Sequence, residues 1–587
     1  MVFKGISMKI GIFVKTSLVL ALSSLPLVAQ DFSLDQYKKA LWMTTRFYGA
    51  QRSGEGPNWL YIGHSAGETS FTGDQTGGQN VAGGWFDCGD HVMFGQTQFF
   101  SAYMLAKAYE QFPTGHRDDY SGDYIGYRTA NNYSYGNGAP NGIPDLLDEL
   151  AYELDFIKKA TPSTSTFIYQ KGDGNADHQE WKTAPAMSRN SVDKGGEPRS
   201  ILTNPNDASM ASFAAATLAL SARIYSPYQS QTYIDQLKAH ALNAYAYAKA
   251  HPGTASAGSF YPANARWQDD FAIAALEMYA TFGDAMYLSD ANNVKGQVDY
   301  HYWALNYNNN DDLAFFNFGT IAGDAASLNR LNQTQNGSQF LGDYFSPGNI
   351  NAEGVTTKGD NQWGALRYPA NIAFVAALYS KAANNNTYRQ QIYNQIDYIL
   401  GSNNAKQSFV VGFCEGCNAS PQHPHHRGVF LDNTNTQNKQ GLAIPARNAQ
   451  LGALVGGSLI SGNYQDNIES YQNTEVCTDY NAGLVGALGY IVANLDPGYV
   501  PPTPTSLGNT PKQYRVKAHL ENSVWYFEGL PGEPLHLEIL DLQGRLIHQS
   551  QDIKIVRWDS NSEKGVHLAR VRSKLGEKTF RLIPTGI

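Results

Sequence analysis

The chain has only four cysteines in 587 residues, too few for a fold built on disulfides. It has no stripe of Lys and Arg, and a net charge of -9 is mild for this length. Nucleic acid is therefore excluded as an electrostatic partner. Beyond residue 29 no apolar run is long enough to span a bilayer. Alternating strand patterns are scarce before residue 500, which argues against a β-rich body. The long apolar stretch at the start has basic Lys4 and Lys9, a run from Ile10 to Leu27 interrupted by Lys15, and Val28-Ala29-Gln30 as a cleavage point. Residues 1–29 thus read as an export signal. Lys15 counts against an uncleaved anchor, which needs about 20 nearly uncharged residues. The mature chain is expected to start near Gln30, secreted or held at the cell surface, with no membrane span after cleavage.

What is abundant is helical periodicity. Ser33-x-x-Gln36 reads as a capping box opening a helix through Leu34, Tyr37, Leu41, Thr45 and Tyr48. Comparable patterns recur near 96–111, 143–160, 207–224, 232–250, 269–282, 368–382, 387–400 and 480–495. Long loops rich in Gly, Asn and Asp separate them, so residues 30–496 are expected to form one all-α domain with its function in the loops. At Asp496 the texture changes. Pro501-Pro502-Thr503-Pro504-Thr505 makes 497–511 a stiff linker. Beyond it Leu535–Leu540 alternates as a strand, Gln543-Gly544 marks a turn and Arg545-Leu546-Ile547 resumes, so 512–587 read as a small all-β sandwich. Aromatics reach 12%; most must be core, and the surplus suits stacking on the apolar faces of sugar rings.

Three constellations carry chemistry. Gly83-Gly84-Trp85-Phe86-Asp87-Cys88-Gly89-Asp90-His91 sets two carboxylates three apart in a glycine-rich turn. Such a turn holds a water between two acids, one orienting it and one taking its proton, or alternatively forms a calcium loop. Asn473-Thr474-Glu475-Val476-Cys477-Thr478-Asp479-Tyr480 precedes an apolar helix. A carboxyl against Val476 and aromatic neighbours has a raised pKa and serves as an acid, whereas Asp479 reads as a helix cap. Gln422-His423-Pro424-His425-His426-Arg427 offers donors to sugar hydroxyls or to a carboxylate. Its approach, Cys414-x2-Cys417-x5-His423-x-His425, also has zinc-like spacing; a Cys414–Cys417 disulfide, or pairing with Cys88 or Cys477, is the alternative.

Six motifs in order carry a resemblance: 47–54 (FYGAQRSG), 84–91 (GWFDCGDH), 172–181 (GDGNADHQEW), 366–371 (LRYPAN), 424–427 (PHHR) and 475–483 (EVCTDYNAG). Over residues 33–495 the chain resembles glycoside hydrolase family 9, the inverting cellulases with an (α/α)6 barrel. The resemblance implies an endo-acting β-1,4-glucanase on cellulose or a related β-glucan. It implies Asp90 as general base, Asp87 as its partner on the water and Glu475 as general acid. His178, Trp181, His425, Arg427 and Tyr480 match substrate-contacting positions, and Tyr261, in Phe260-Tyr261-Pro262, matches a sugar-stacking tyrosine.

The departures concern cysteines and metal. Cys88 and Cys477 stand where small residues are usual, each beside a catalytic carboxylate, so a disulfide there would brace the site. The calcium-binding stretch of many relatives is only partly present, as Asp269-Asp270; no cofactor is required, and calcium is the metal to test. An exo-acting relative, with one cleft end blocked by 66–81 or 190–206, and a silent glycan-binding protein are the rival readings, the latter opposed by the retained acids. Residues 512–587 are similar to bacterial surface or secretion-sorting β-domains through Leu540-Asp541-Leu542-Gln543-Gly544-Arg545. A plain carbohydrate-binding or stabilising domain is the alternative there.

Overall fold

The computed structural model describes residues 30–57, 69–118, 141–258, 260–298, 303–333, 340–429 and 450–502, followed by seven strands between Lys517 and Leu582. The export signal, residues 503–511 of the linker and the turn at Gln543-Gly544 lie outside the described residues. The first helix is entered as its capping box dictates: Ser33 Oγ accepts from Gln36 N at 3.4 Å, and Ser33 N donates to Gln36 Oε1 at 2.8 Å.

Among the described residues, twelve helices alternate between an outer and an inner ring. The outer ones are α1 (Leu34–Ala50), α3 (Asp145–Ala160), α5 (Gln231–Ala250), α7 (Ala285–Lys295), α9 (Ala325–Arg330) and α11 (Arg389–Leu400). The inner ones are α2 (Gly95–Gln111), α4 (Ser209–Ile224), α6 (Gln268–Phe282), α8 (Asp311–Thr320), α10 (Arg367–Ala382) and α12 (Thr478–Leu495). Each inner helix packs on the next, and α12 returns to α2, closing the ring. The outer helices lean on it, α1 against α12, α5 against α4 and α11 against α10.

The inner helices are apolar on every side because they touch neighbours on every side: Thr478 to Val492 of α12 are all buried. α7, α8 and α9 are absent from the sequence-based pattern. α8 buries Leu313, Ala314, Phe315, Phe316 and Phe318 in succession, a run with no polar stripe to set a period. α7 and α9 are short and bury few residues.

All six inner helices begin at one end. Ser209 bonds Asp270, Asn310 N donates to Asp269 Oδ2 at 2.9 Å, and Asn371 Nδ2 donates to Leu305 O at 2.9 Å. Arg367 pairs with Asp479 at 3.0 Å and Thr478 N donates to Asp87 O at 3.0 Å. Six helix N-termini therefore share one mouth, where their partial positive charge favours carboxylates. The stretches 69–81 and 190–206 meet beside it, joined by the buried Arg199–Asp74 pair and by Gly73 N on Glu197 Oε1 at 2.9 Å. Beyond residue 516 the seven strands form a four-stranded and a three-stranded antiparallel sheet.

Candidate active site

The turn carrying Asp87 and Asp90 is clamped from several sides. Gly83 and Gly84 take φ of 111° and 77°, and a Cβ on Gly84 would lie 2.7 Å from Gln98 Nε2 and 2.9 Å from the Phe156 ring, so only glycine passes here. Trp85 donates its N–H to Glu153 at 3.1 Å and its indole to Glu149 at 3.1 Å, and Glu149 also holds Arg52. Lys171 caps the carbonyls of Val81 and Gly83, and Arg199 bonds the carbonyl of His91.

The second acid loop is laced to the first. Cys88 and Cys477, 389 positions apart, form a disulfide. Arg427 N donates to Gly89 O at 3.0 Å, and His425 N donates to Thr474 O at 2.9 Å, next to Glu475. A Cβ on Gly89 would lie 2.2 Å from His425 O, so the loops touch backbone to backbone. Cys414 and Cys417 pair with each other, which removes both thiolates from zinc ligation, and His423 pairs with Asp466 at 3.2 Å.

The three carboxyls differ in environment. Asp87 is buried; Thr97 bonds its Oδ1 and Tyr261 donates to its Oδ2 at 2.5 Å. Burial first, then the negative charge of Asp90, hold its pKa well above the usual range. Asp90 accepts Val92 N–H at 2.9 Å. Burial and Asp177 push it up to about 6, against the pull of His178 and Arg427. Glu475 is half-buried and accepts the indole N–H of Trp363 at 2.9 Å. Burial raises it to about 8, helped by Asp90 and Asp479 and opposed by Trp363 and Arg367.

The other expected residues gather around these. His178, exposed, lies tilted 4.9 Å from the Phe260 ring, and half-buried His425 lies 4.7 Å from the Trp181 ring. Arg427 is buried, pairs with Asp177 at 2.9 Å and sits 4.9 Å over Trp181. Tyr261 bonds Asp87 through its hydroxyl while its edge meets Tyr307. Tyr480 is 2% exposed and packs behind Gly364, so it forms a wall of the site. Asp479 is no cap: it lies in the first turn of α12 as the counterion of Arg367.

Sequence reasoning missed Trp363, 42% exposed, and Tyr471, equally exposed and 5.1 Å from it. These two form an open aromatic ledge beside Glu475. The signal was there for Trp363, which lies three positions before the Leu366-Arg367-Tyr368 motif in a glycine-bearing loop.

Asp269 and Asp270 do not fit a calcium ion. Asp270 is bonded by Ser209 and by Asn310 Nδ2 at 2.9 Å, Asp269 by Asn310 N, and the positive charge next to them is Arg266. Three of these four oxygens are filled by N–H and O–H donors, and the positive charge beside them already belongs to Arg266, which leaves no place for a hard cation.

A family model described as glycosyl hydrolase family 9 matches residues 37–488. Endoglucanase A of Fibrobacter succinogenes is 38% identical over 68% of this chain and 88% of its own. Among solved structures, the cellulase Cel9M of C. cellulolyticum superposes with a TM-score of 0.64 at 27% identity, covering 78% of this chain and 98% of that one. An endoglucanase from the termite Nasutitermes takasagoensis gives 0.65 at 27% identity, covering 78% and 99%.

Proposed function

Because the chain belongs to glycosyl hydrolase family 9, an inverting family of endoglucanases acting on cellulose and cello-oligosaccharides, we propose that Glu475 is its general acid and Asp90 its general base. The observation that carries the assignment is that the Cys88–Cys477 disulfide and the Arg427 N–Gly89 O bond bring the two acid loops together, with Glu475 under the Trp363 indole and Asp90 beside the cationic Arg427. Burial raises both carboxyls, and the positive neighbours of Asp90 hold it lower, at about 6, than Glu475, at about 8. Two carboxyls in one site with opposite protonation states are what a single displacement by water requires.

In this reading Glu475 protonates the oxygen of the scissile β-1,4 bond as the bond opens, and water enters from the opposite face. Asp90 takes the proton of that water. Asp87, with one oxygen held by Thr97 and the other by Tyr261, keeps the turn and the water in register. Trp363 and Tyr471 receive a sugar ring on the leaving side, and His178 and His425 bond hydroxyls across the cleft. Arg427 and Trp181, which touch Asp177 and His425, complete the sugar contacts on that side. Cel9M has been solved with cellobiose, which supports a short β-glucan as the bound species here. Among the described residues no helix is long and apolar enough to cross a membrane.

Substrates with different leaving groups test the acid and the base separately. Glu475→Gln should lose roughly 10²–10⁴-fold on cello-oligosaccharides yet keep most activity on aryl glycosides with acidic leaving groups, which need no proton. Asp90→Asn should lose activity on both and recover with azide, giving the α-glycosyl azide. Equal losses of Glu475→Gln on both substrate types would overturn the acid assignment. The strands of 512–587 we read as the halves of a sandwich that sorts or attaches the enzyme at the cell surface. Ending the chain near Asp496 should leave turnover of soluble substrate intact and change only where the enzyme resides; loss of binding to insoluble cellulose would make it a binding module instead.

A further inference from the structure

At the entrance to α6 the chain delivers a positive charge of its own into a nest of oxygens. Arg266 Nη2 lies 3.0 and 3.1 Å from the two carboxylate oxygens of Asp311. Its Nη1 bonds the carbonyl of Gln297, and Nη2 reaches that of Val298 at 3.5 Å. Asp269, three residues on, feels the same charge, and its Oδ1 is buried with no hydrogen-bond donor among the described residues.

We infer that the guanidinium of Arg266 is a built-in substitute for a divalent cation, and that removing it would turn these oxygens into a calcium site. Two carboxylates and two main-chain carbonyls are the hard oxygen set that calcium selects, at about 2.3–2.6 Å with six to eight ligands. Here the Asp311 carboxylate and the two carbonyls stand instead at N–H···O distance from a planar fork of donors, with Asp269 within reach of its charge. A guanidinium and a calcium ion cannot both occupy the nest, since their charges repel and the fork fills the space between the oxygens. The side chain does what a bound ion would do: it ties the 297–298 turn and the start of α8, through Asp311, to the start of α6. Because Arg stays charged at any pH the protein meets, this tie is independent of metal supply.

The full-length protein, stripped with chelator, is heated in calcium chloride and in sodium chloride of equal ionic strength. Wild type should melt at the same temperature in both and show no calcium binding by titration calorimetry. Arg266→Ala should melt lower in sodium chloride, rise by about 3 °C in millimolar calcium and bind close to one equivalent. Arg266→Lys, which keeps a cation, should stay indifferent to calcium. Calcium-raised melting of the wild type, or an Arg266→Ala protein indifferent to calcium, would overturn the inference. If Arg266→Ala does not stay folded in chelator, its refolding yields with and without calcium replace the melt, and equal yields count against it. The readout is unfolding, so neither result touches the roles of Asp90 and Glu475.

Discussion

At the far end of the inner ring, Lys107 and Arg223 meet Glu277 and Glu110, every contact between 2.5 and 2.6 Å. At the mouth, Asp87, Asp90, Glu475 and Asp479 share Arg367 and Arg427, and Arg427 is already paired with Asp177. The far end is neutral by composition, whereas the mouth holds more carboxyls than cations. Burial would raise Glu110, but Lys107 and Arg223 pull it down to about 2, whereas at the mouth burial prevails and Glu475 rises to about 8. The helix ends add to the difference: C-termini suit the cations of one cluster and N-termini the carboxylates of the other. The same residue types thus serve stability at one end and proton transfer at the other, according to how many cations accompany them.

The strongest way to break this comparison is to neutralise one acid at each end. Asp90→Asn, like Glu475→Gln, should lower kcat on cello-oligosaccharides by roughly 10²–10⁴-fold, with a melting temperature equal to or above that of the wild type. Glu277→Gln should do the reverse. It leaves Lys107 and Arg223 short of a buried partner at a cost of about 3–5 kcal/mol, read by denaturant unfolding, with near-normal turnover per folded molecule.

The cross-links offer the next contrast. A Cys88→Ser, Cys477→Ser protein loses the bond between the two acid loops and should lose both stability, by about 2–5 kcal/mol, and roughly ten-fold in kcat, because misplaced catalytic groups are costly. Removing the local Cys414–Cys417 bond should leave kcat within about two-fold. Steady-state kinetics under matched redox conditions checks both.

The pH dependence sharpens the comparison further. The kcat/KM profile should be a bell with an acid limb at about 6, where Asp90 gains a proton, and an alkaline limb at about 8, where Glu475 loses one. Stability has the opposite sense at the two ends. Asp90 and Glu475 have folded pKa values above their ordinary ones, so their contribution is full below pH about 4 and is lost as pH rises through about 6 and about 8. Glu110 has a lowered value, so its contribution is present above about 4.5 and is lost as pH falls through about 2. Denaturant melts across this range separate the two in single variants. The smallest effect belongs to Trp363→Phe: without the indole donor that holds Glu475 down, the alkaline limb should move to higher pH, with a change in kcat of only a few-fold.

Much of this was legible in the sequence because it is local. The Ser33 and Gln36 box marks the first helix, amphipathic outer helices such as α3 announce their period, and the turn glycines around Trp85 mark a backbone that must bend. The losses are of two kinds. α8 carries no polar face from which a period can be read, because neighbours surround it. The partnerships of Trp363 with Glu475 and of Arg367 with Asp479 join residues more than a hundred positions apart, and nothing in local spacing states them, whereas the Cys88–Cys477 bond was legible through the resemblance. Arg266 illustrates both. The pair Asp269-Asp270 is visible, but the charge that answers it is an arginine whose other partner, Asp311, lies 45 residues away.

The ring of inner helices has a seam, where α12 meets α2 and α1. A ribosome makes α2 early and α12 late, so for most of its synthesis the barrel is an open arc with apolar flanks exposed and no partner for them. Asp90 emerges long before Glu475, and any product that stops short of Glu475 lacks the acid and the closing helix together. The acid therefore comes just ahead of the eighteen residues of the helix that closes the ring, so cleavage competence and the closed fold arrive almost together, after which the remaining chain has still to be made.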